Sequence, residues 1–353
     1  MPSPIRVLIV DDSALIRKLL TKILGEARGI EVVGVAGDPL IARDKIKALN
    51  PDVLTLDVEM PRMDGLTFLG NLMRLRPMPV VMVSSLTEKG ASVTMDALAL
   101  GAVDFVTKPK IDISHSLETY ADELISKVKA AAAAKLQPKA QLDEPAPVYS
   151  ADAVIPQVSK KFFSTTDKII AIGASTGGTE AIKDVLLGLP PDAPGIVIAQ
   201  HIPPGFSAAF AERMDRVTAL SVKEAEDGDI IKEGEVLVAR GGYHMIVESN
   251  MRIKLIDGPK RFGVKPAVNM TMVSASEVFG SNAIGILLTG MGHDGAFGMK
   301  TIKKRGGNTI AQDSSSSVIY GMPKAAVDLH AVDKLLPTEK IPQTIKELVE
   351  KLV

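Results

Sequence analysis

The stretch Ile5–Ala27, IRVLIVDDSALIRKLLTKILGEA, contains one complete strand–helix unit. Its first six residues form a short apolar run rich in β-branched side chains, and the segment from Ser13 onward has apolar residues at helical spacing. Strands that are apolar along their whole length and alternate with helices are typical of a parallel sheet covered on both faces. The stretch therefore predicts an α/β fold.

The same alternation repeats along the first third of the chain. Four further apolar runs follow, with helical segments between them, at 31–36, 52–57, 79–85 and 104–109. Five strand–helix units predict one doubly wound, flavodoxin-like domain with a five-stranded parallel sheet over residues 1–127.

The composition changes after this domain, and then the α/β pattern returns. Residues 128–160 are rich in Ala, Pro and Gln, and their prolines prevent a continuous helix, so we predict a linker. Residues 161–353 predict a second α/β domain with a mainly parallel sheet. Its strands are predicted at 169–173, 195–200, 283–290 and 308–313, with a β-hairpin-like insert at 235–257.

The composition excludes several classes of function. The 353 residues carry a formal net charge of −1 and no block of Lys and Arg, so we expect no nucleic-acid partner. The absence of cysteine excludes disulfides, thiolate metal sites and cysteine nucleophiles. No stretch approaches the roughly 18 apolar residues of a membrane span. We therefore expect a cytoplasmic protein that does not insert directly into the membrane.

Polar residues end the predicted strands of the first domain. Asp11 and Asp12 follow the first strand, Asp57 ends the third, Ser84 the fourth and Lys108 the fifth. The carboxyl ends of parallel strands share one edge of the sheet, where open α/β sheets bind ligands. Three carboxylates within about 4 Å would repel by a few kcal/mol per pair, and a hard cation such as Mg²⁺ would relieve this repulsion. Each Asp taken singly is more simply explained as a helix N-cap, whereas the whole set favours an ionic site.

The segments VDD, TLDVEMPRMDG, VSS and FVTKP together resemble the response-regulator receiver domain, over the whole length of the first domain. The resemblance implies that Asp57 accepts a phosphoryl group. It also implies that Mg²⁺, which serves phosphorylation, binds Asp11, Asp12, Asp57 and the backbone carbonyl of Glu59.

Three more residues take roles from the same resemblance. Ser84 and Lys108 would contact the phosphoryl oxygens, and Phe105 would report the phosphorylation state by rotating. The chemistry agrees with the first two roles, because a lysine supplies a point charge for a phosphate and a serine hydroxyl can donate to one of its oxygens.

In the second domain, KIIAIGASTGGT (168–179) holds a serine between glycines after a predicted strand. Gly173, Gly177 and Gly178 match neither the dinucleotide fingerprint nor the phosphate-binding loop, which also needs a lysine. Residues 173–177 do match G-x-S-x-G, the spacing of a strand-to-helix nucleophile elbow. A glycine turn with an incidental serine fits equally well, and an anion-binding module at a helix N-terminus is a further alternative.

A serine nucleophile needs an imidazole as base, and the imidazole needs a carboxylate that fixes its tautomer. Among the five histidines, His201 directly follows the strand after Ser175, and Asp294 follows a third strand. Ser175, His201 and Asp294 are therefore predicted to face one crevice. Two alternatives stay open at this point: His201 could bond to backbone in a turn, and His293, next to Asp294, could be the base.

The segments IGASTGG, AQHIPPGF, LLTGMGHDGA and AQDSSSSVIYGMPKAA are similar to the catalytic domain of chemotaxis protein-glutamate methylesterase, the CheB family, over the whole second domain. The resemblance implies that Ser175 is the nucleophile, His201 the general base and acid, and Asp294 the orienting carboxylate. It also implies that backbone N–H groups near Thr176 and Met291 bind the oxyanion.

The resemblance further implies the reaction and its partners. The substrates would be glutamate methyl esters on methyl-accepting chemoreceptors, hydrolysed to methanol without a cofactor, and receptor glutamines would be deamidated. A chemotaxis histidine kinase would be the phosphodonor, and phosphorylation would relieve a restraint that the receiver places on the catalytic domain. A transcriptional regulator is a rival, but the chain shows no basic patch and no recognisable helix-turn-helix. Arg240, where proline is usual, and the weakly charged residues 264–269 depart from the family pattern and leave substrate docking open.

Overall fold

The computed structural model of the protein describes residues 3–60, 63–109, 114–135 and 167–351. From residue 136 onward, the predicted linker over 128–160 lies outside these ranges, and so does the predicted start of the second domain at 161. None of the helices in the described ranges combines the length and the apolar character that crossing a bilayer requires.

The N-terminal part alternates strictly between strands and helices. Its elements are β1 (Ile5–Val10), α1 (Ala14–Gly25), β2 (Ile30–Ala36), α2 (Pro39–Leu49), β3 (Val53–Asp57), α3 (Gly65–Leu75), β4 (Val80–Ser84), α4 (Glu88–Leu100), β5 (Asp104–Thr107) and α5 (Ser114–Ala133). The sheet has the order β2-β1-β3-β4-β5, and all its neighbouring strands are parallel. The predicted doubly wound, flavodoxin-like domain is confirmed.

The apolar run of β1 explains the two-sided burial of this sheet. Leu8 and Val10 lie in a hydrophobic cluster with α2, α3 and α4, whereas Val7 and Ile9 lie in a second cluster with α1 and α5. Successive side chains of a strand point to opposite faces, so a strand covered on both sides must be apolar throughout. Helix α1 starts after Ser13, whose side chain accepts a hydrogen bond from the Ile16 N–H and caps the helix.

The C-terminal part is built on a larger parallel sheet. Its elements are β6 (Ile169–Ala174), α6 (Gly178–Leu187), β7 (Gly195–Gln200), α7 (Phe206–Val217), β8 (Ser221–Glu224), β9 (Glu235–Val238), β10 (His244–Val247), β11 (Ile253–Ile256), α8 (Val268–Phe279), β12 (Ala283–Leu287), α9 (Ala296–Lys304), β13 (Asn308–Gln312), α10 (Met322–Asp328), β14 (Lys334–Leu336) and α11 (Ile341–Lys351), with 3₁₀ turns at Gly280–Asn282 and Thr338–Lys340. The sheet order is β14-β13-β12-β6-β7-β9-β8. After β6 the chain adds β7, β8 and β9 on one side of this strand. It then adds β12, β13 and β14 on the other side, so a topological switch point lies between β6 and β12.

The insert predicted as a hairpin over 235–257 is only partly a hairpin. Strands β10 and β11 do form a separate antiparallel pair, but β9 joins the main sheet, where it pairs in parallel with β7 and β8. The short edge strands β8 and β14, SVKE and KLL, were not predicted because they lack a sustained apolar run. The mainly parallel character of the second sheet is confirmed.

The two parts pack against each other through one face of the first domain. The ring of Phe105 on β5 packs against that of Phe206 on α7, with 4.5 Å between the ring centroids, and both residues are buried. Near the end of α5, the Lys135 side chain donates to the carbonyl of Ser314 at 2.9 Å. Strand β5 and the end of helix α5 in the first domain thus contact the second domain.

Candidate active site and phosphorylation site

The register of β6 and β7 sets the relation between Ser175 and His201. The last paired residues of these strands are Ala174 and Gln200, so Ser175 and His201 are the next residues on two adjacent strands, which lie about 4.8 Å apart. The His201 N–H donates to the carbonyl of Ala174 at 3.1 Å and continues the ladder by one bond. Both residues therefore leave the carboxyl edge of the sheet side by side.

Asp294 reaches the same edge from the loop after β12. Its Oδ2 lies 2.9 Å from Nε2 of His201, and its side chain is 4% exposed. Three backbone N–H groups also donate to this carboxylate, from Val268 at 2.6 Å and from Asn269 and Gly295 at 3.0 Å. A buried carboxylate with four partners is held in one orientation, which suits it to orient an imidazole.

Asn269 completes this arrangement and was missed by the sequence analysis. The N-cap residues of α8 and α9, Ala267 and Gly295, provide no side-chain cap. Instead, Asp294 accepts from the first turn of α8, while Oδ1 of Asn269 accepts from the N–H groups of Gly295 at 3.0 Å and Gly298 at 2.8 Å in α9. The loop before α9 thus caps α8, a residue of α8 caps α9, and this exchange fixes the loop that carries Asp294.

The structure separates the two histidines that the sequence left as candidates. The imidazole of His293 is exposed and makes an edge contact with the ring of Phe262, with 5.8 Å between the ring centroids, whereas Asp294 pairs with His201. Because Nε2 of His201 faces the carboxylate, Nδ1 is the nitrogen that remains to accept a proton.

Ser175 begins the turn that leads into α6. Gly177 in this turn has φ 76°, and an added Cβ there would lie 2.7 Å from the side chain of Val318, so only glycine fits. Within the described residues, no hydrogen-bond acceptor faces the N–H of Thr176 or the N–H of Met291. The two N–H groups predicted to bind an oxyanion are thus available, and the positive end of α6 lies beside the first of them.

The first domain contacts the side chains of both predicted oxyanion residues. The hydroxyl of Thr176 donates to Oδ2 of Asp104 on β5, and Oγ of Ser126 on α5 lies 3.7 Å from the sulfur of Met291. No local pattern in the sequence marks Asp104, because its partner lies 72 residues away and in the other domain.

At the carboxyl edge of the first sheet, the predicted acidic residues do converge. Carboxylate oxygens of Asp11, Asp12 and Asp57 lie within 4.8 Å of one another. Oδ2 of Asp11 is buried and has no hydrogen-bond partner in the part of the chain that the structure describes. Oxygen donors with an unsatisfied buried atom fit a hard divalent cation such as Mg²⁺. The predicted fourth ligand residue, Glu59, lies beside this set, and its N–H donates to Oδ1 of Asp57 at 3.2 Å.

Lys108 partly neutralises this cluster. Its Nζ lies 2.8 Å from Oδ2 of Asp57 and 3.8 Å from Oδ2 of Asp11. Burial raises the pKa of Asp57 to about 6. Repulsion from Asp11 also raises this pKa, whereas the hydrogen bond and the charge of Lys108 lower it. Burial also raises the pKa of Asp11. Burial by itself lowers the pKa of Lys108, but the neighbouring carboxylates outweigh it and leave that pKa above its ordinary value.

Two further predicted residues of the first domain make their contacts outside the acidic cluster. Ser84 is fully buried, and its Oγ bonds with the Gly90 carbonyl at 3.2 Å and with Oγ1 of Thr94 at 2.8 Å, both on α4. Phe105 is buried against Phe206 of the second domain. Their predicted phosphoryl-contact and switch roles would thus require movement away from these contacts.

Comparison with known proteins agrees with both halves of the chain. The family model described as CheB methylesterase matches residues 170–345, and the response regulator receiver domain model matches residues 7–118. A protein of Xanthomonas euvesicatoria pv. vesicatoria, named protein-glutamate methylesterase/protein-glutamine glutaminase 1, is 52% identical over 359 residues, which cover 99% of this chain and 98% of the relative. A protein of Geobacter metallireducens with the same name is 53% identical over 352 residues, which cover 97% and 95%.

A solved structure matches the second half. The crystal structure of the Thermotoga maritima CheB methylesterase catalytic domain is 40% identical, with a TM-score of 0.50, and covers 51% of this chain and 98% of its own. Both domains and nearly the full length are therefore shared with these relatives. The chain belongs to the CheB family of protein-glutamate methylesterases, with a response-regulator receiver domain ahead of the methylesterase domain.

Proposed function

We propose that this protein is a phosphorylation-activated serine hydrolase that removes methyl groups from glutamate methyl esters on chemoreceptors and deamidates receptor glutamines. The observation that carries the proposal is the 2.9 Å contact between His201 and Asp294, with Ser175 next to His201 on the adjacent strand. We place this activity in the cytoplasm, where a histidine kinase can serve as phosphodonor.

The proposed chemistry follows from these three side chains. Nδ1 of His201 takes the proton of the Ser175 hydroxyl as Oγ bonds to the γ-carbonyl carbon of the methylated glutamate. The imidazolium, stabilised by Asp294, then gives this proton to the leaving methoxide, which departs as methanol. A water molecule repeats the sequence on the acyl-enzyme and restores the glutamate carboxylate and the free serine. With a glutamine substrate, ammonia leaves instead.

The N–H groups of Thr176 and Met291 would stabilise the negative oxygen of each tetrahedral intermediate. Donors that are already in place need no reorganisation as the charge develops, which makes such sites effective. This ester hydrolysis uses groups of the chain alone, and we propose no cofactor for it.

The receiver would control access to this site. Asp57 would accept the phosphoryl group, with Lys108 next to it as a positive charge. Mg²⁺, when held by Asp11, Asp12, Asp57 and the carbonyl of Glu59, would neutralise negative charge at the phosphorylation site. A phosphoryl group adds roughly two negative charges to the cluster and can shift the equilibrium between docked and undocked domains by a few kcal/mol.

The interdomain contacts support a restraint that acts on the oxyanion site. In the docked arrangement, the receiver engages the side chains of Thr176 and Met291, beside the nucleophile. The pair of Phe105 and Phe206 anchors the same interface. Release of β5 and α5 would therefore expose the residues that bind the substrate carbonyl.

The decisive test removes the nucleophile. The full chain with Ser175→Ala, supplied with Mg²⁺ and a small phosphodonor, should release no detectable methanol from methylated receptor membranes. Ser276→Ala is the matched control, because this buried serine hydroxyl on α8 donates to the Val273 carbonyl within its own helix. Wild-type methanol release by the Ser175 variant would reject the hydrolase assignment.

A further inference from the structure

Gln200, the last residue of β7, has a buried side chain that the proposed mechanism does not use. It is 4% exposed, and its Nε2 donates to the backbone carbonyl of Ser175 at 2.9 Å. We infer that Gln200 is a positioning residue that aims the Thr176 N–H at the oxyanion by holding the other end of the same peptide group. This inference rests on the proposed function, since it takes Ser175 as the nucleophile and the Thr176 N–H as an oxyanion donor.

The geometry of the peptide bond connects the two groups. The Ser175 carbonyl and the Thr176 N–H belong to one planar trans peptide group, in which they point in opposite directions. A donor that fixes the direction of the carbonyl therefore also fixes the direction of the N–H. Gln200 provides such a donor from the adjacent strand, and the Gly178 N–H, at 2.7 Å, provides a second one from within the turn.

The neighbouring backbone groups are held as well, by Thr289 after β12. Its carbonyl accepts from the Ser175 N–H at 3.0 Å, and its hydroxyl donates to the Thr176 carbonyl at 3.0 Å. Together with Gln200, these bonds occupy three of the four backbone groups from the Ser175 N–H to the Thr176 carbonyl. Across the described ranges, the Thr176 N–H is the one group of the four that is left without a partner. The backbone groups on both sides of the Thr176 N–H are thus held by hydrogen bonds, and the N–H itself is available to a ligand.

The fit of the Gln200 amide is close. A Cβ added to Gly178 would lie 2.3 Å from Oε1 of Gln200, so a side chain at position 178 would displace the amide. Oε1 itself is buried and has no hydrogen-bond partner among the described residues. A buried unsatisfied oxygen lowers stability, and a methionine of the same length would avoid that cost. The function of a glutamine here therefore lies in the donor that it offers to Ser175.

The same hydrogen bond also strengthens the oxyanion donor. Hydrogen bonds along a chain of groups polarise one another, so donation to the Ser175 carbonyl makes the Thr176 N–H a better donor. Both effects act on the transition state, where charge has developed on the substrate oxygen, and little on substrate binding.

The test compares Gln200→Met with two variants of the full chain, all assayed with Mg²⁺ and a phosphodonor on methylated receptor membranes. Thr309→Val is the matched control, because Thr309 is also buried and side-chain bonded, to Asp333 at 2.8 Å, but lies near the opposite end of its strand. Ser175→Ala reports on the proposed function itself. We measure kcat, KM and Tm for each.

Loss of one oxyanion donor lowers kcat by about 100- to 1000-fold in serine hydrolases. Gln200→Met leaves the N–H in place but less firmly aimed, so we expect kcat to fall about 10- to 100-fold, with KM within about threefold of wild type. Thr309→Val should lower Tm and leave kcat unchanged. A Gln200→Met variant with wild-type kcat, beside an inactive Ser175→Ala variant, overturns the role of Gln200 alone. Activity in Ser175→Ala overturns the proposed function and this inference together.

Discussion

The two ionic sites of this protein differ in how completely their charges are satisfied. Around Asp294, four donors surround one buried carboxylate, which leaves its orientation fixed. Around Asp57, oxygens of three carboxylates lie within 4.8 Å of one another beside Lys108, the pKa of Asp57 is raised by burial to about 6, and Oδ2 of Asp11 has no hydrogen-bond partner within the described ranges. The Asp294 carboxylate is thus fully hydrogen-bonded without a ligand, whereas the acidic cluster around Asp57 is not.

This difference assigns different tasks to the two domains. A site that is already satisfied is ready for chemistry and offers no means of control, because nothing in it changes when a signal arrives. An unsatisfied cluster responds strongly to a cation or a phosphoryl group, because either one changes its electrostatic energy by several kcal/mol. Control of the hydrolase must therefore reach the catalytic side from outside, through interdomain contacts that include those of Asp104 and Phe105.

The largest expected effect comes from disturbing the satisfied site. Asp294→Asn keeps the size of the side chain but can present an amide donor to His201, which favours the wrong tautomer. We expect kcat for methanol release to fall on the order of 10⁴-fold. Asp257→Asn is the control, because this exposed carboxylate pairs with Lys265 at 2.8 Å. A loss of less than about tenfold in Asp294→Asn would mean that the carboxylate does not control the imidazole.

In the acidic cluster, removing a carboxylate should stabilise the protein instead of impairing a site. The folded pKa of Asp57, about 6, lies above that of an unfolded Asp, so the folded state binds the proton more tightly and ionisation at neutral pH lowers stability. Asp57→Asn should therefore stabilise the protein by about 1–3 kcal/mol at pH 7.5 with Mg²⁺ chelated. The gain should shrink as the pH falls through 6 towards 4.

Denaturant unfolding of both proteins at the two pH values measures this difference. Asp122→Asn, which changes an exposed carboxylate on α5, controls for the change in net charge. If Asp57→Asn instead destabilises the metal-free protein at pH 7.5, the electrostatic contrast between the two sites is wrong. The same variant should also lose activation by the phosphodonor, since it lacks the phosphoryl acceptor.

The sequence predicted those features that depend on position along a strand. Ser175 and His201 could be located because each directly follows an apolar run. The acidic cluster could be located because Asp11 directly follows β1 and Asp57 ends β3. Apolar runs also predicted most of both sheets. Strands β8 and β14 were not predicted, because short edge strands with few apolar residues have no distinct sequence pattern.

Long-range side-chain contacts could not be predicted in this way. Asn269 acts on the N-terminus of a helix that begins 27 residues later, and Asp104 acts on the other domain. Gln200 was part of a recognised motif, but its role follows from the direction of its amide. Such roles depend on the relative placement of whole elements, which the periodicity of a single sequence does not contain.

The next test concerns the interface between the two domains. Thr176→Val removes the hydroxyl that donates to Asp104 but keeps the backbone N–H that we assign to the oxyanion. A hydrogen bond to a charged group contributes about 1.5–3 kcal/mol, so methanol release without phosphodonor should rise at least about tenfold. The maximal rate with phosphodonor should stay near that of wild type. In an Asp104→Ala background the Thr176 substitution should add nothing, and independent, additive effects in this double-mutant cycle would show that the two residues are not coupled.

The smallest expected effect concerns the exchange of caps between α8 and α9. Asn269→Ala removes the acceptor for the Gly295 and Gly298 N–H groups, which should lower stability by about 1 kcal/mol and Tm by a few degrees. Because the same loop carries Asp294, kcat should also fall, by about two- to fivefold.

A second cap separates the catalytic part of this effect from the structural part. Asp38 on the receiver likewise accepts two backbone N–H groups, from Leu40 and Ile41 at 2.9 Å each, but lies far along the chain from Asp294. Asp38→Ala should lower Tm by a similar amount and leave the phosphodonor-saturated kcat unchanged. Equal kcat in both cap variants would mean that Asp294 is held by its own hydrogen bonds alone. The orientation of Asp294 would then not depend on the capping of α8 and α9. The difference between this site and the acidic cluster would lie only in the groups that contact each carboxylate directly.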